Sequence, residues 1–357
     1  MAVRQAVILA GGLGVRLRPI TAERSKLAIP VLNQPLLGYE LRQLARHGIT
    51  EVVLATGYLP EAVARAVGSG ERYGVQVTFA VEAEPRGTAG ALKYVEDLIG
   101  GPSPVGGVPG EAFVALNGDL IMDLDFTALV RTHEQAQAMV TIAVCKVEDP
   151  SAYGLVRTDR QGRVVEFAEK EQRRAPHERT INVGAYVMEP EVLDHIEPGQ
   201  AWSNEYDLFP RLLASGARVH SYLHKGYWLD VGRPSQYLQA HWDLLDGAAD
   251  RLLPSDAGSL IRQDERGVRA PSFLADHVTL ADDALVGPYA CLGPGCQVGP
   301  GTRIERSVLW ENVVVGAGCQ LQDAIVCAGA RLPEGTQLGP GDIVAEGATA
   351  PVGPTAE

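Results

Sequence analysis

Aromatic residues are scarce in this sequence, at 6% of 357 residues, and methionine occurs only four times. A core must therefore be built from aliphatic side chains. With 46% apolar residues over this length there are enough of them for two domains. Positive charge is in deficit, since 31 Lys and Arg stand against 44 Asp and Glu, a formal net charge of −13. Such a field repels a phosphate backbone and argues against a nucleic-acid partner. Any phosphate this chain binds must be held locally, by backbone N–H groups, Lys, Arg or a metal. Long hydrophobic runs are also missing. The first residues offer only AVILA before a glycine pair, too short for a signal-peptide core or a membrane span. The expectation is a cytoplasmic protein with no membrane partner. The five cysteines, Cys145, Cys291, Cys296, Cys319 and Cys327, include no CxxC pair, and an odd number suits a reducing compartment. They read as small buried residues.

From residue 5 to about 245, short apolar runs alternate with helical patterns. QAVILA, EVVLAT, VQVTFAV and AFVALNGD read as strands; PLLGYELRQLARHG, EAVARAV and TAGALKYVEDLIG read as helices. This alternation predicts a mostly parallel sheet covered by helices, with ligands beyond the carboxyl ends of the strands. GPSPVGGVPG (101–110) has the composition of a surface loop. Beyond a polar linker at 246–270 the pattern changes. Apolar residues recur every six positions at Leu274, Leu280, Val286, Leu292, Val298 and Ile304. After a five-residue step come Leu309, Val315 and Leu321, and after another Val326, Leu332 and Leu338. A six-residue period with Gly and Pro at the corners predicts a parallel β-helix of hexapeptide coils over 271–345, with a tail at 346–357.

Four motifs carry chemistry. AGGLGVRLRPITAERSKLAIPV (10–31) follows the first strand: Gly11, Gly12 and Gly14 let the backbone aim N–H groups at an anion, and Arg16, Arg18 and Lys26 add charge. Leu17 breaks a GxGxxG fingerprint and no GK[ST] follows, which excludes a dinucleotide fingerprint and a Walker loop. VEAEPRGTAGAL (81–92) is a turn before a helix with Thr88 as a candidate N-cap; Gly87 would allow close approach to a flat ring, and Glu82 or Glu84 could accept from it. LNGD (116–119) and GYWLDVG (226–232) each place one acid, Asp119 and Asp230, near glycines at a strand end. Singly these are turn residues. As a converging pair they suit Mg²⁺, which takes one or two carboxylates plus phosphate oxygens.

The first motif resembles the signature GGxGTRLRPLTxxxPKPxxPV of the sugar-1-phosphate nucleotidylyltransferases. It departs mainly at Val15, where Thr is usual, and at Ser25 and Leu27, where Pro is usual. The wording GTAGAL is similar to the mannose-1-phosphate guanylyltransferase branch. The resemblance implies a Rossmann-like, mostly parallel α/β nucleotidyltransferase domain over 1–245, followed by a left-handed parallel β-helix. It implies nucleotide contacts from Leu9, Ala10, Gly11, Gly12, Gly14, Arg16, Lys26, Glu82, Gly87 and Thr88, and metal ligation by Asp119 and Asp230. DPSAYGLV, EFAEKEQ, INVGAYV and SNEYDLFP match the family's sugar-side motifs in order and spacing. They imply Asn117, Gly154, Glu169, Lys170, Asn182, Gly184 and Glu205 around the sugar phosphate, with Glu171 replacing the usual Pro after Lys170.

On this reading the oxygen of mannose-1-phosphate, or of a related hexose or cyclitol phosphate, attacks the α-phosphorus of an NTP, GTP being favoured, and pyrophosphate leaves; the alternative is the same reaction with dTTP, UTP or ATP and glucose-1-phosphate. The nucleophile is already anionic and needs no general base, so catalysis is positioning and charge neutralisation by Arg16, Lys26, Lys170 and Mg²⁺. Two rivals fare worse. A sensing subunit of the same fold should have lost some of these charges. Acyl transfer in the hexapeptide region lacks a histidine base, since 286–340 contains none. The β-helix then reads as a structural element that assembles a homo-oligomer.

Overall fold

The computed structural model describes residues 3–99, 110–151, 153–168, 179–253, 259–261, 263–264, 267–349 and 351–352. The segment 101–109 expected as a loop, the sugar-side residues Glu169, Lys170 and Glu171, parts of the linker and the residues after 352 lie outside them. The chain forms two compact units. The first comprises 1–13, 40–118 and 123–228; the second comprises 14–39, 119–122 and 229–357.

The first unit is built on a nine-stranded sheet. Its strands are β1 (Gln5–Ala10), β2 (Glu51–Thr56), β3 (Gln76–Val81), β4 (Phe113–Asn117), β5 (Val140–Lys146), β6 (Leu155–Thr158), β7 (Val164–Ala168), β8 (Thr180–Met188) and β9 (Val219–Leu223). The order runs β7-β6-β8-β4-β1-β2-β3, and β5 pairs with β8 and β9. The four N-terminal strands are parallel, as the alternation predicts. The antiparallel side begins where β8 pairs with β4. Strand β1 is buried at five of its six residues, because a central parallel strand is covered on both faces; it is apolar but for Gln5, whose amide donates to the Leu98 carbonyl at 2.8 Å. The core gathers Val7, Val53, Phe113, Ile142, Tyr186 and Phe209 with α3 (Gly87–Tyr94), which follows α1 (Leu36–Arg46) and α2 (Pro60–Val67) in the chain, and the Phe209–Ala214 helix. α3 stops short of the expected helical stretch: Val95 breaks it and a 3₁₀ turn, Glu96–Leu98, follows.

In the second unit all twelve predicted hexad residues fall in short strands, sorted into three parallel sheets. Leu274, Leu292, Leu309, Val326 and Val344 stack in one register; Leu280, Val298, Val315 and Leu332 in a second; Val286, Ile304, Leu321 and Leu338 in a third. This is a β-helix, and its filling is one apolar column. Coils stack so closely that a Cβ on Gly299 would stand 2.7 Å from the carbonyl carbon of Gly316. The two five-residue steps fall at one corner. There Arg306 and Asp323 take left-handed conformations (φ 48° and 50°) and pair side by side at 2.7 Å.

All five cysteines are free and buried. Burial pushes the Cys145 thiol up to about 11 and Cys296 and Cys327 up to about 12, so these are inert packing residues.

Candidate active site

Within the first unit the glycine loop starts where β1 ends. Leu9 pairs with Asn117 across the sheet, and its carbonyl accepts from the N–H of Gly118. Ala10 is buried, while Gly12 has open space where a Cβ would stand. Gly11 lies against Glu82: a Cβ there would be 3.3 Å from Glu82 Oε2. Glu82 is only 5% exposed, and its Oε1 is buried with no partner. Burial raises the carboxyl above the usual glutamate range, and the backbone N–H and charge of Arg86 pull it part of the way back. Of the two loop acids that could accept from a base, Glu82 is buried and Glu84 is exposed. The side chain of Asn117 likewise keeps its Oδ1 buried and unpartnered.

Two details of the base loop differ from expectation. Thr88 is not the N-cap, because α3 begins at Gly87. Its hydroxyl instead accepts from the Asn204 N–H at 2.7 Å and donates to Glu205 at 3.3 Å. A β-region cap at Thr88 is displaced because the loop is laced to the irregular segment before Asn204: Trp202 donates its N–H to the Arg86 carbonyl, and its own carbonyl accepts from Ala89 and Gly90. At Gly87 (φ 68°) a Cβ would stand 2.4 Å from the Trp202 carbonyl oxygen. The close approach that requires glycine there is made by protein backbone.

The sugar-side motifs form one hydrogen-bonded group in the same unit. The Gly154 carbonyl accepts from the Asn182 N–H at 3.1 Å, and Asn182 Oδ1 accepts from the Gly184 N–H at 3.0 Å. Gly184 (φ 86°) sits in a bulge of β8 between Asn182 and Tyr186, which turns Asn182 out of the regular alternation. Glu205 accepts from the Tyr186 hydroxyl at 3.2 Å, from Ser203 at 2.8 Å and from Thr88, with Asn182 Nδ2 at 3.5 Å. Tyr186 was not singled out from the sequence; on an apolar strand it reads as core. Trp228 donates to the Val183 carbonyl at 3.0 Å and packs edge-on to Tyr153.

The second unit holds the charged set. Gly14 turns the chain (φ 60°) where a Cβ would press on Thr21 and Lys26, each at 3.3 Å. Lys26 is 8% exposed, with Nζ 2.5 Å from Asp119 Oδ2 and 3.7 Å from Asp230 Oδ1. Backbone fixes the two acids together: the Val231 N–H donates to the Asp119 carbonyl. Arg16 is exposed, and a Cβ on Gly232 would stand 3.2 Å from its Nη2 and 3.3 Å from Asp230 Oδ2. Burial, and then the Asp119 charge, raise the Asp230 carboxyl above the usual aspartate range, against the pull of Lys26 and Arg16. Arg16, Lys26, Asp119 and Asp230 thus converge. Among the described residues no group of three or more His, Cys, Asp or Glu is placed to hold a metal. Two carboxylates sharing one cation, with the rest of the coordination left to phosphate and water, is a donor set that fits Mg²⁺.

A mostly parallel α/β sheet with a glycine loop at the end of a central strand is an architecture of enzymes that bind phosphates beyond the strand ends. Residues 5–247 match the Nucleotidyl transferase family model, and 268–351 match the GMPPB C-terminal domain model. The chain belongs to the nucleotidyl transferase family and is a nucleotidyltransferase. It is 34% identical over 318 residues to the mannose-1-phosphate guanylyltransferase of Mycobacterium tuberculosis, covering 89% of this chain and 82% of that one. It is 38% identical over 238 residues to the mannose-1-phosphate guanyltransferase of Schizosaccharomyces pombe, spanning 66% of this chain and 62% of that relative. Among solved structures, a putative glucose-1-phosphate thymidylyltransferase from Bacillus anthracis in complex with a sucrose is similar, with a TM-score of 0.58 at 25% identity. It covers 67% of this chain and 94% of that one.

Proposed function

We propose that the enzyme makes GDP-mannose, or the GDP derivative of a closely related hexose or cyclitol, from GTP and the corresponding 1-phosphate, releasing pyrophosphate. The observation that carries the nucleotide is Glu82, a buried carboxylate with an unpartnered oxygen beside the glycine loop. Guanine presents two adjacent donors, N1–H and the 2-amino group, which two carboxylate oxygens can accept together. Uracil and thymine put carbonyls beside their single N–H, and adenine turns an acceptor toward the acid. Such mismatches cost about 1–3 kcal/mol, or roughly 10–100-fold in preference. The similarity to enzymes named for guanylyl transfer to mannose-1-phosphate supports the same pair of substrates.

In this reading Arg16 holds the leaving pyrophosphate, and Lys26 the α- or leaving phosphate. Asp119 and Asp230 would hold Mg²⁺, which supplies charge neutralisation at the reacting phosphates. Lys170 brings in the sugar phosphate, and Asn117, Gly154, Glu169, Asn182, Gly184 and Glu205 surround the sugar. The Glu205 group fixes the orientation of Asn182 before substrate arrives, so little order has to be gained on binding. None of the described helices is long and apolar enough to cross a membrane, and the inert free thiols suit the cytoplasm. Assembly as a homo-oligomer through the β-helix belongs to the same reading and is checked by light scattering. Pyrophosphate release over a grid of four nucleoside triphosphates and several sugar 1-phosphates tests the substrates. A preference for UTP or dTTP over GTP would end the guanylyl assignment.

A further inference from the structure

Arg24 lies at a position the signature leaves open, two residues before Lys26. Its guanidinium pairs with Glu311 and, at 3.3 Å, with Glu346, and lies 4.9 Å over the ring of Trp310. All three partners belong to the β-helix, whose stacking runs past the expected end at 345: Gly347 donates to the Ala328 carbonyl, and Arg331 donates to that of Ala348. The stacking register puts Glu311, Ala328 and Glu346 at equivalent places on successive coils. The small Ala328 leaves room for one arginine to reach an acid on either side of it.

A second anchor holds the other flank of Lys26. Trp310 is 1% exposed, and its Nε1 donates to the Tyr237 hydroxyl at 2.8 Å. That hydroxyl donates in turn to the Pro30 carbonyl at 2.5 Å. Between the anchors Ser25 and Leu27 are buried, and Lys26 extends to Asp119 and Asp230. Ser25 and Leu27 are the positions where the resembling signature carries proline. The stiffness those rings would give the backbone is here supplied from outside, by side chains of the repeat.

We propose that Arg24 is a positioning residue, through which the β-helix fixes the backbone that aims Lys26. The proposal rests on the assignment of Lys26 to the triphosphate. An arginine held by two carboxylates and an aromatic face has lost most of its freedom, and that restraint passes two residues along a buried backbone. Misplacing a charged group by about 1 Å can cost as much as 10²-fold in rate. The expected effect of Arg24→Ala is accordingly a fall in kcat of about 10–10²-fold, with the KM for the sugar 1-phosphate changed little.

The test is steady-state kinetics on the full-length enzyme with GTP, Mg²⁺ and mannose-1-phosphate, beside thermal unfolding. The variants are Arg24→Ala, Arg24→Lys, the double variant Glu311→Gln with Glu346→Gln, and Lys26→Met. Positioning predicts that kcat falls in Arg24→Ala and in the double glutamine variant, and that Arg24→Lys restores part of it. The unfolding temperature moves in all of them, and a merely structural contact would move it alone. If Arg24→Ala does not fold, the near-isosteric glutamine pair carries the test. Unchanged kcat in the folded Arg24 or glutamine variants, with Lys26→Met inactive, overturns the positioning role. An active Lys26→Met overturns the assignment of Lys26 itself.

Discussion

The two units are held together in opposite ways. In the first, order is long-range: β1 lies between β2 and β4, and its partners stand 46 and 108 positions away, as Gln5 with Glu51 and Ala6 with Val114 show. The second repeats itself every 17 or 18 residues, as the steps from Leu274 to Leu292, Leu309 and Val326 show. One would expect the irregular unit to hold the whole site and the repeat to be a passive stack. The residues proposed for the site do not all belong to the first unit. The groups that match base and sugar motifs lie in the sheet unit, while Arg16, Lys26, Asp119 and Asp230 lie in the unit that contains the repeat. A regular stack offers a rigid surface with side chains at fixed spacing, and a catalytic loop can be braced on it.

The sharpest break of this comparison comes from the acids. Asp230→Asn or Asp119→Asn should lower kcat/KM by roughly 10²–10⁴-fold, several kcal/mol of lost charge stabilisation, with little change in fold stability. Removing Mg²⁺ with EDTA should do the same, and full activity in the chelator would take both acids out of the metal role.

Next comes packing, measured by denaturant unfolding. Trp310→Ala removes the largest fully buried side chain and leaves Tyr237 without its donor, so a loss of about 3–5 kcal/mol is expected. Phe113→Ala in the sheet unit should cost a similar amount. If the two variants shift separate transitions, the units unfold independently; one shared transition in both would show that the contrast is architectural and not energetic.

Glu82 separates the units by pH. Its carboxyl is raised, so the folded protein holds the proton more tightly than the unfolded chain does. The cost of ionising it is absent below the unfolded value, grows as pH rises through the window up to the folded value, and is full above that. Glu82→Gln should therefore stabilise the protein at neutral pH and not in acid. GTP affinity should fall as pH drops through a point above the usual glutamate range, and the variant should lose both that dependence and roughly 10–100-fold of base preference. A variant with unchanged preference leaves the base to be read by the loop backbone. The smallest effect belongs to the corner pair: Arg306→Ala should cost only about 0.2–1 kcal/mol, as a partly exposed ion pair does, together with its stacking on Trp242.

What the sequence disclosed follows the same contrast. The hexad is a local pattern, so every one of its twelve residues could be placed in a strand before any coordinates, and Val344 simply continues the period. Strand β1 and the glycine loop were legible because a buried parallel strand and a tight turn leave their marks within ten residues. Arg24 was invisible for the converse reason. Its partners stand 287 and 322 positions away, and an arginine in a polar loop reads as solvated. Thr88 was misplaced by two positions, the cap being Arg86, because its hydroxyl serves Asn204 and Glu205, not its own helix. The antiparallel side of the sheet escaped because β6 to β8 carry no signal of strand direction.

The corner at Arg306 and Asp323 has a consequence for how such a chain tolerates change in length. Each of those steps is one residue shorter than the rest, yet Leu309 and Val326 still stack under Leu292 and Val344. A lost residue is absorbed in a single left-handed corner, and the count restarts on the next face. Insertions and deletions at corners should thus be nearly silent in this half of the molecule. The same slip inside β1 would turn its side chains over at once.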